Sequence, residues 1–590
     1  MSDKKYQKGG EFLLVAGNAD EIFTPEDFTS EQRMIAKTTE DFVRREVWPK
    51  IDKIEVQEDG VSQSLMLKAA ELGLLMVDIP QEYGGMGLNK ASSTLIAEKM
   101  GMAGSFSVTL LNHTGIATLP IVFYGNKEQK EKFLPGLAEG EIGAYCLTEP
   151  GSGSDALAAK TTAILSDDGK YYLLNGTKQF ITSAKWAKTF IVFAQVAGKE
   201  FTAFIVEREM AGVVIAPEEL KLGIKGSATS GVILEDARVP VENLLGEIGK
   251  GHLIAFNVLN IGRYKLGAAA LGLAKLALEY AVKYASERKQ FKKSLAEFGL
   301  IRKKIAEMTS RMLVTESLVY RTVGLIDHIL EGIKGPVGET SQLVLKGIGE
   351  YAIECSIVKV FASEMADYVV DESLQIFGGY GYSQEYPAER LYRDARINRI
   401  FEGTNEVNRL LIPGMLLRRA FQDGLPLMQV LENLKNEAAD TSTVDDRSAV
   451  GEFPWYREKL EGARKAVLMA IGLVIEKHLK DIGERQELLA LLADMIIEYY
   501  ALESTLLRLE KGSVGIDDWR SLAFLNYFPA AMDRLLIWGR EIIGVVVAPG
   551  QLADQLALFD KFCRMTPFDT ISVRDRLAEK IISVGGYPRV

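Results

Sequence analysis

Glu402 lies in Ile400–Arg409, IFEGTNEVNR, where an acid follows two apolar residues and is followed at once by Gly and Thr. A carboxylate at a helix edge, desolvated by apolar neighbours, can serve as a general base. Gly403 permits an unusual backbone conformation or close approach of a ligand. Thr404 or Asn405 can cap the helix that runs on through Arg409. The same residues also fit a solvated acid beside an N-cap, and the local pattern leaves both readings open.

Tyr145–Ala156, YCLTEPGSGSDA, contains a G-x-G-x-x-A match to the dinucleotide fingerprint. That fingerprint needs a strand before it and a helix after it. Here β-like sequence follows (TTAIL, then YYLLNGTKQFIT), which argues against a nicotinamide site and allows a simple turn. Leu374–Tyr382, LQIFGGYGY, is a second glycine-rich run, and Ser286–Phe291, SERKQF, is a basic helix terminus favourable against the dipole. His113, His252, His328 and His478 show no metal-ligand spacing, and no GxSxG, HExxH or Walker pattern is present.

The elements that must carry these residues fall into blocks. Residues 28–142 read as helical, with Thr29 and Ser30 as caps. Residues 143–248 change to short β-branched and aromatic runs separated by DDGK, NGTK and AGKE turns, the texture of an antiparallel β domain. Helical periodicity returns over 249–415 as a bundle. A further helical region, 416–590, contains a polar, acidic linker at 436–451. The fold class expected is therefore α+β and multidomain.

At 590 residues the chain exceeds a single hydrophobic core. Its net charge of −11 argues against a nucleic-acid partner, because phosphate binding draws on Lys and Arg. Cys146, Cys355 and Cys563 lie far apart, without a CxxC pair, which fits a reducing compartment. The opening MSDKKYQKGGEFLL has no long apolar core and does not read as a secretory signal, so a cytoplasmic location is expected. Ala466–Ile475 is too short to span a bilayer. Residues 100–126 lack Asp, Glu, Lys and Arg and are long enough, but Asn112, His113 and Pro120 favour a buried helix pair.

In order, YCLTEPGSGSDA, KQFIT (178–182), RKQF (288–291), LQIFGGYGY and RDARINRIFEGTNEVNR (393–409) resemble the acyl-CoA dehydrogenase family, collinearly over about residues 30–415. The added helices and FGLIRKKIAEM (298–308) look like its very-long-chain type. The resemblance implies an N-terminal helical domain, a middle β-barrel-like domain and a C-terminal bundle, with FAD between the last two. It implies that Tyr145, Leu147, Thr148, Phe180 and Thr182 line the flavin, and that Gly153 and Ser154 border flavin and thioester. Phe180 stands where many relatives have Trp.

The same resemblance implies that Arg288, Gln290, Phe291, Gln375, Ile376 and Gly379 reach the FAD of a neighbouring subunit. Thr404, Glu406 and Gln486 would also contact FAD, and Asn260, Arg263 and Gly403 would contact substrate. Glu402 would remove the α-proton of an acyl-CoA, with its own backbone N–H and a ribityl hydroxyl on the thioester oxygen. Some relatives carry the base near position 262, where this chain has Gly262. Also implied are a homodimer and an electron-transferring flavoprotein as acceptor. The acidic linker argues against stable membrane attachment. The rival readings are an acyl-CoA oxidase, which reacts with oxygen, and a non-catalytic DNA-binding relative, which the charge disfavours.

Overall fold

The computed structural model describes residues 6–335, 337–422, 424–437 and 452–589. Most of the linker expected at 436–451 lies outside the described residues. The helical start follows from its caps: the Thr29 side chain accepts from Gln32 N–H, and Gln32 returns the bond to the Thr29 backbone. Asn89 caps Lys90–Met100 and Asn126 caps Lys127–Ala138 in the same way, each accepting a backbone N–H with its side chain.

Residues Ser105–Tyr124 are long and apolar enough to cross a membrane, yet most of this stretch is buried inside the fold. They form a core element, as Asn112 and His113 suggested. His113 fastens it to the first strand: Gly143 N–H donates to Nδ1 at 3.1 Å, so Nε2 carries the hydrogen offered to Leu137 O at 3.0 Å. Burial pushes this imidazole down to about 4, which keeps it neutral and lets one nitrogen accept.

The middle region is one eight-stranded sheet, in which Thr229–Pro240 pairs with Tyr171–Thr182 and Thr189–Val196 with Glu200–Glu207, both antiparallel. The sheet is not antiparallel throughout. Gly143–Cys146 and Thr162–Leu165 both run parallel to Thr189–Val196. Parallel partners need a long return path, and the YCLTEPGSGSDA loop and its neighbours supply one, which turn signals read locally could not reveal.

The long helices Gly251–Glu287, Gly299–Glu331 and Ala352–Phe377 form the bundle, and Asn405–Gln422 packs on Ala352–Phe377. The extension (Phe453–His478, Gln486–Lys511, Trp519–Val546 and two shorter helices) shares its hydrophobic core. Buried ion pairs join the two parts: Arg321 to Glu503 and Arg508 to Glu316, both at 2.7 Å. The extension also reaches the segment after Glu402. Arg409 Nε donates to Asp494 at 2.8 Å while its other nitrogens grip Glu364 at 2.7 and 3.0 Å.

Candidate active site

Glu402 sits in a turn with a left-handed backbone, φ 57°, followed by Gly403 at φ 79°. Such a conformation costs a residue with a Cβ on the order of 1 kcal/mol, so neighbours must hold it. Asn408, fully buried, does so by donating its Nδ2 to the Gly403 and Thr404 carbonyls at 2.9 and 3.0 Å. Thr404 Oγ accepts from Val407 N–H at 3.2 Å and caps the helix that begins at Asn405.

The turn presents the carboxylate to the Gly251–Glu287 helix at the point where that helix has no side chain. A Cβ on Gly262 would stand 2.5 Å from Glu402 Oε2 and 2.8 Å from Cδ. Gly262 is therefore the slot that the acid occupies. Glu402 as a whole is only partly covered, but its Oε2 is shut off from solvent and has no hydrogen-bond partner among the described residues. Burial pushes the carboxyl up to about 7, against the pull of the Arg263 and Lys359 cations. The carboxyl is thus a desolvated group poised near neutrality, not a solvated acid beside a cap.

The loop before the sheet is pinned by a buried ion pair. Lys178 Nζ, fully enclosed, meets Glu149 Oε1 at 2.6 Å, and the same carboxylate accepts from Lys160 N–H and Thr161 N–H at 2.6 and 3.0 Å. Glu149→Ala leaves the Lys178 ammonium buried and unpaired, and is expected to cost about 3–5 kcal/mol in a denaturant melt. A loss well under 1 kcal/mol would show that water replaces the pair.

Four family models match in order: the acyl-CoA dehydrogenase N-terminal domain at residues 29–141, the middle domain at 144–237, and C-terminal domains at 249–416 and 462–559. A Bacillus subtilis protein described as a probable acyl-CoA dehydrogenase is 48% identical over 586 residues, 98% of each chain. The chain belongs to the acyl-CoA dehydrogenase family. The human very long-chain specific acyl-CoA dehydrogenase, a mitochondrial protein, is 38% identical over 78% of this chain and 71% of its own. A crystal structure of an acyl-CoA dehydrogenase complexed with FAD from Bacillus anthracis matches with a TM-score of 0.95 and 48% identity, covering 99% of this chain and all of that one.

In this acyl-CoA dehydrogenase fold the residues that the resemblance assigned to a flavin fall into two groups. Tyr145 is buried at the end of the first strand, with Leu147 and Thr148 half-buried beyond it. Thr148 O accepts from Gln179 N–H at 2.9 Å, which brings the start of the loop beside Phe180 and Thr182. The Phe180 ring is 62% exposed on a left-handed backbone, φ 57°. Gly153 and Ser154 are exposed, and nothing lies within 4 Å of a Cβ placed on Gly153.

The second group gathers where the RKQF hairpin meets the LQIFGGYGY run. The Arg288 guanidinium lies 5.5 Å from the Tyr380 ring centroid, next to Gly379. Gln290, Phe291 and Gln375 are exposed, and Ile376 is buried in the core. Glu406 is exposed in the first turn after Thr404. Gln486 is exposed at the start of its helix in the extension.

Asn260 and Arg263, which the resemblance assigned to CoA, lie beside the Glu402 turn. Both are 7% exposed, Arg263 Nη1 donates to Asn260 Oδ1 at 2.9 Å, and its Nε points to the Glu402 carbonyl at 3.5 Å. Arg263 is one residue beyond Gly262 and so faces the Glu402 turn from inside the bundle. Asn408 and Lys359 were missed in the sequence. The i, i+3 pair of asparagines in TNEVN was the available signal for a built turn, whereas a lysine in a helix gives none.

Proposed function

We propose that this chain oxidises acyl-CoA thioesters to trans-2-enoyl-CoA, with FAD as cofactor and Glu402 as the base. The observation that carries the reading is the Glu402 carboxylate, buried in the Gly262 slot, unpartnered and pushed up to about 7. The residues present fit a large planar cofactor with polar edges. Exposed Phe180 and Phe291 offer ring faces, Gly151, Gly153, Gly378 and Gly379 leave open space, and the buried Tyr145 hydroxyl has no partner among the described residues. Bound FAD would supply an acceptor for the β-hydrogen as hydride, which no side chain can do.

The protein's part is proton transfer and charge control. A thioester α-proton is far too weakly acidic for a solvated carboxylate at neutral pH. Covering the site with an acyl chain desolvates Glu402 further and strengthens it as a base. Charge developing on the thioester oxygen needs fixed donors, and the Glu402 backbone N–H, which the resemblance assigns to this role, is one such donor. The ionised form of Glu402 is the active one. In the free enzyme, kcat/KM should therefore rise with pH through about 7 and level off above it.

Anaerobic bleaching of the bound flavin by an acyl-CoA series tests cofactor, reaction and chain length together. Long chains are expected to bleach fastest, on the strength of the very-long-chain likeness and the extension. Absence of bleaching with every chain length would sink the reading. Slow reoxidation in air, relieved by an electron-transferring flavoprotein, is expected of a dehydrogenase, and fast peroxide formation would make the protein an oxidase. Arg288, Gln290 and Phe291 project from the hairpin, consistent with a homodimer in which they serve the partner's cofactor.

A further inference from the structure

Lys359 lies in the middle of the Ala352–Phe377 helix and is fully buried. Its Nζ donates to Asn405 Oδ1 at 2.7 Å, its one hydrogen bond among the described residues. Asn405 opens the helix that follows the Glu402 turn and is itself held by Ser363 Oγ and Glu364 Oε1, both at 3.0 Å. A buried ammonium on a neutral amide is costly, since its charge is desolvated without a carboxylate in contact. A methionine would fill the same volume without that cost.

A counter-charge must therefore lie within electrostatic reach. Three carboxylates face Lys359, namely Glu402, Glu406 and Glu364. Glu364 is taken by the two-pronged grip of Arg409, and Glu406 is exposed to solvent, which screens it. That leaves Glu402. Arg263, on the Gly251–Glu287 helix, acts on both groups, and Tyr145, on the first strand, acts on Glu402.

We infer that Lys359 is a positioning residue for the proton transfer: beside Arg263 it supplies a second enclosed positive charge that helps keep Glu402 ionised and, through Asn405, anchors the helix start behind the Glu402 turn. Burial pushes the lysine down to about 7 while Glu402 draws it back toward the charged form, and the effect on Glu402 is the mirror image. When Glu402 takes the α-proton it becomes neutral and Lys359 loses its counter-ion. The pair thus returns the proton readily after turnover. Arg263 exerts the larger pull on Glu402, and Lys359 adds a second enclosed charge to it.

This inference rests on Glu402 being the base, so the test reads Glu402 without the redox step. The probe is 3,3-dimethylbutanoyl-CoA, whose β-carbon has no hydrogen to give up. Exchange of its α-hydrogens with D2O is followed from about pH 5.5 to about pH 9 on the holoenzyme, in wild type, Lys359→Met, Lys359→Gln and Lys359→Arg. Lys359→Gln keeps a donor for Asn405 and removes only the charge. Both neutral variants should raise the exchange midpoint by about one pH unit and so slow exchange about fivefold at pH 7, and Lys359→Arg should restore most of both. A merely structural role would lower the melting temperature and the rate at every pH without moving the midpoint.

An unmoved midpoint in either neutral variant that folds, judged by circular dichroism and flavin absorbance, overturns the inference. Wild-type exchange that survives Glu402→Gln would instead remove Glu402 as the base. The two failures are therefore distinct.

Discussion

Glu402→Gln should bind acyl-CoA about as well as the wild type and fail to bleach the flavin, losing about 10⁴-fold or more in rate. The substitution keeps the shape of the side chain in the Gly262 slot, so the loss reports basicity alone. It carries a second signature. Burial raises the native carboxyl from 4.5 to about 7, so the fold favours its protonated form. A raised group gives its stability below the unfolded value and loses it as pH rises through the folded one. Wild type should thus lose stability relative to Glu402→Gln between about pH 4.5 and about pH 7, with a constant gap above, on the order of 1–3 kcal/mol. Equal melting curves across that window would mean that the carboxylate is solvated in the resting protein. Residual bleaching near the wild-type rate would assign the base elsewhere.

Much of this fold was legible because its signals are local. Thr29 and Gln32 spell a capping box, the DDGK and AGKE turns delimit strands, and the helical blocks keep their period. NGTK, read as a turn, instead lies inside the strand Tyr171–Thr182, where Gly176 marks a shift of register. What escaped depends on contacts between distant segments. Nothing near Gly143 announces a parallel partner at Thr189. Arg263 gives no sign in its own helix of the enclosure that the fold imposes on it beside the Glu402 turn. Lys359 is silent for the same reason: its meaning comes from Asn405 and Glu402, more than forty positions away.

Glu402 itself shows the division. IFEGTN read alone fits an ordinary acid beside a cap, and collinear motifs made it a candidate base. The structure adds what neither could give, namely a left-handed turn, a bracket from Asn408 and an empty slot on the facing helix. These are tertiary facts. They also make the site sensitive to a change on the other side of the slot.

Gly262→Ala should separate activity from stability. A Cβ there would lie 2.5 Å from Glu402 Oε2, 2.8 Å from Cδ and 3.1 Å from Oε1. Only the end of a flexible side chain is in the way, so the backbone need not move and folding should not suffer. Alanine inside a helix is in fact favoured over glycine by up to about 1 kcal/mol. The melting temperature should therefore hold or rise. The carboxylate cannot retreat by shifting its turn, which Asn408 and the capped helix start hold in place. It must swing aside, and displacement of a base by about 1 Å is enough to cost about 10²-fold in rate. Stopped-flow bleaching beside a thermal melt reads both effects on one preparation. A variant that melts like wild type and bleaches a hundredfold more slowly would show that the missing side chain at 262 is part of the catalytic geometry. A variant that bleaches at the wild-type rate would show that Glu402 leaves the slot when substrate binds, and that the resting turn is not the one that takes the proton.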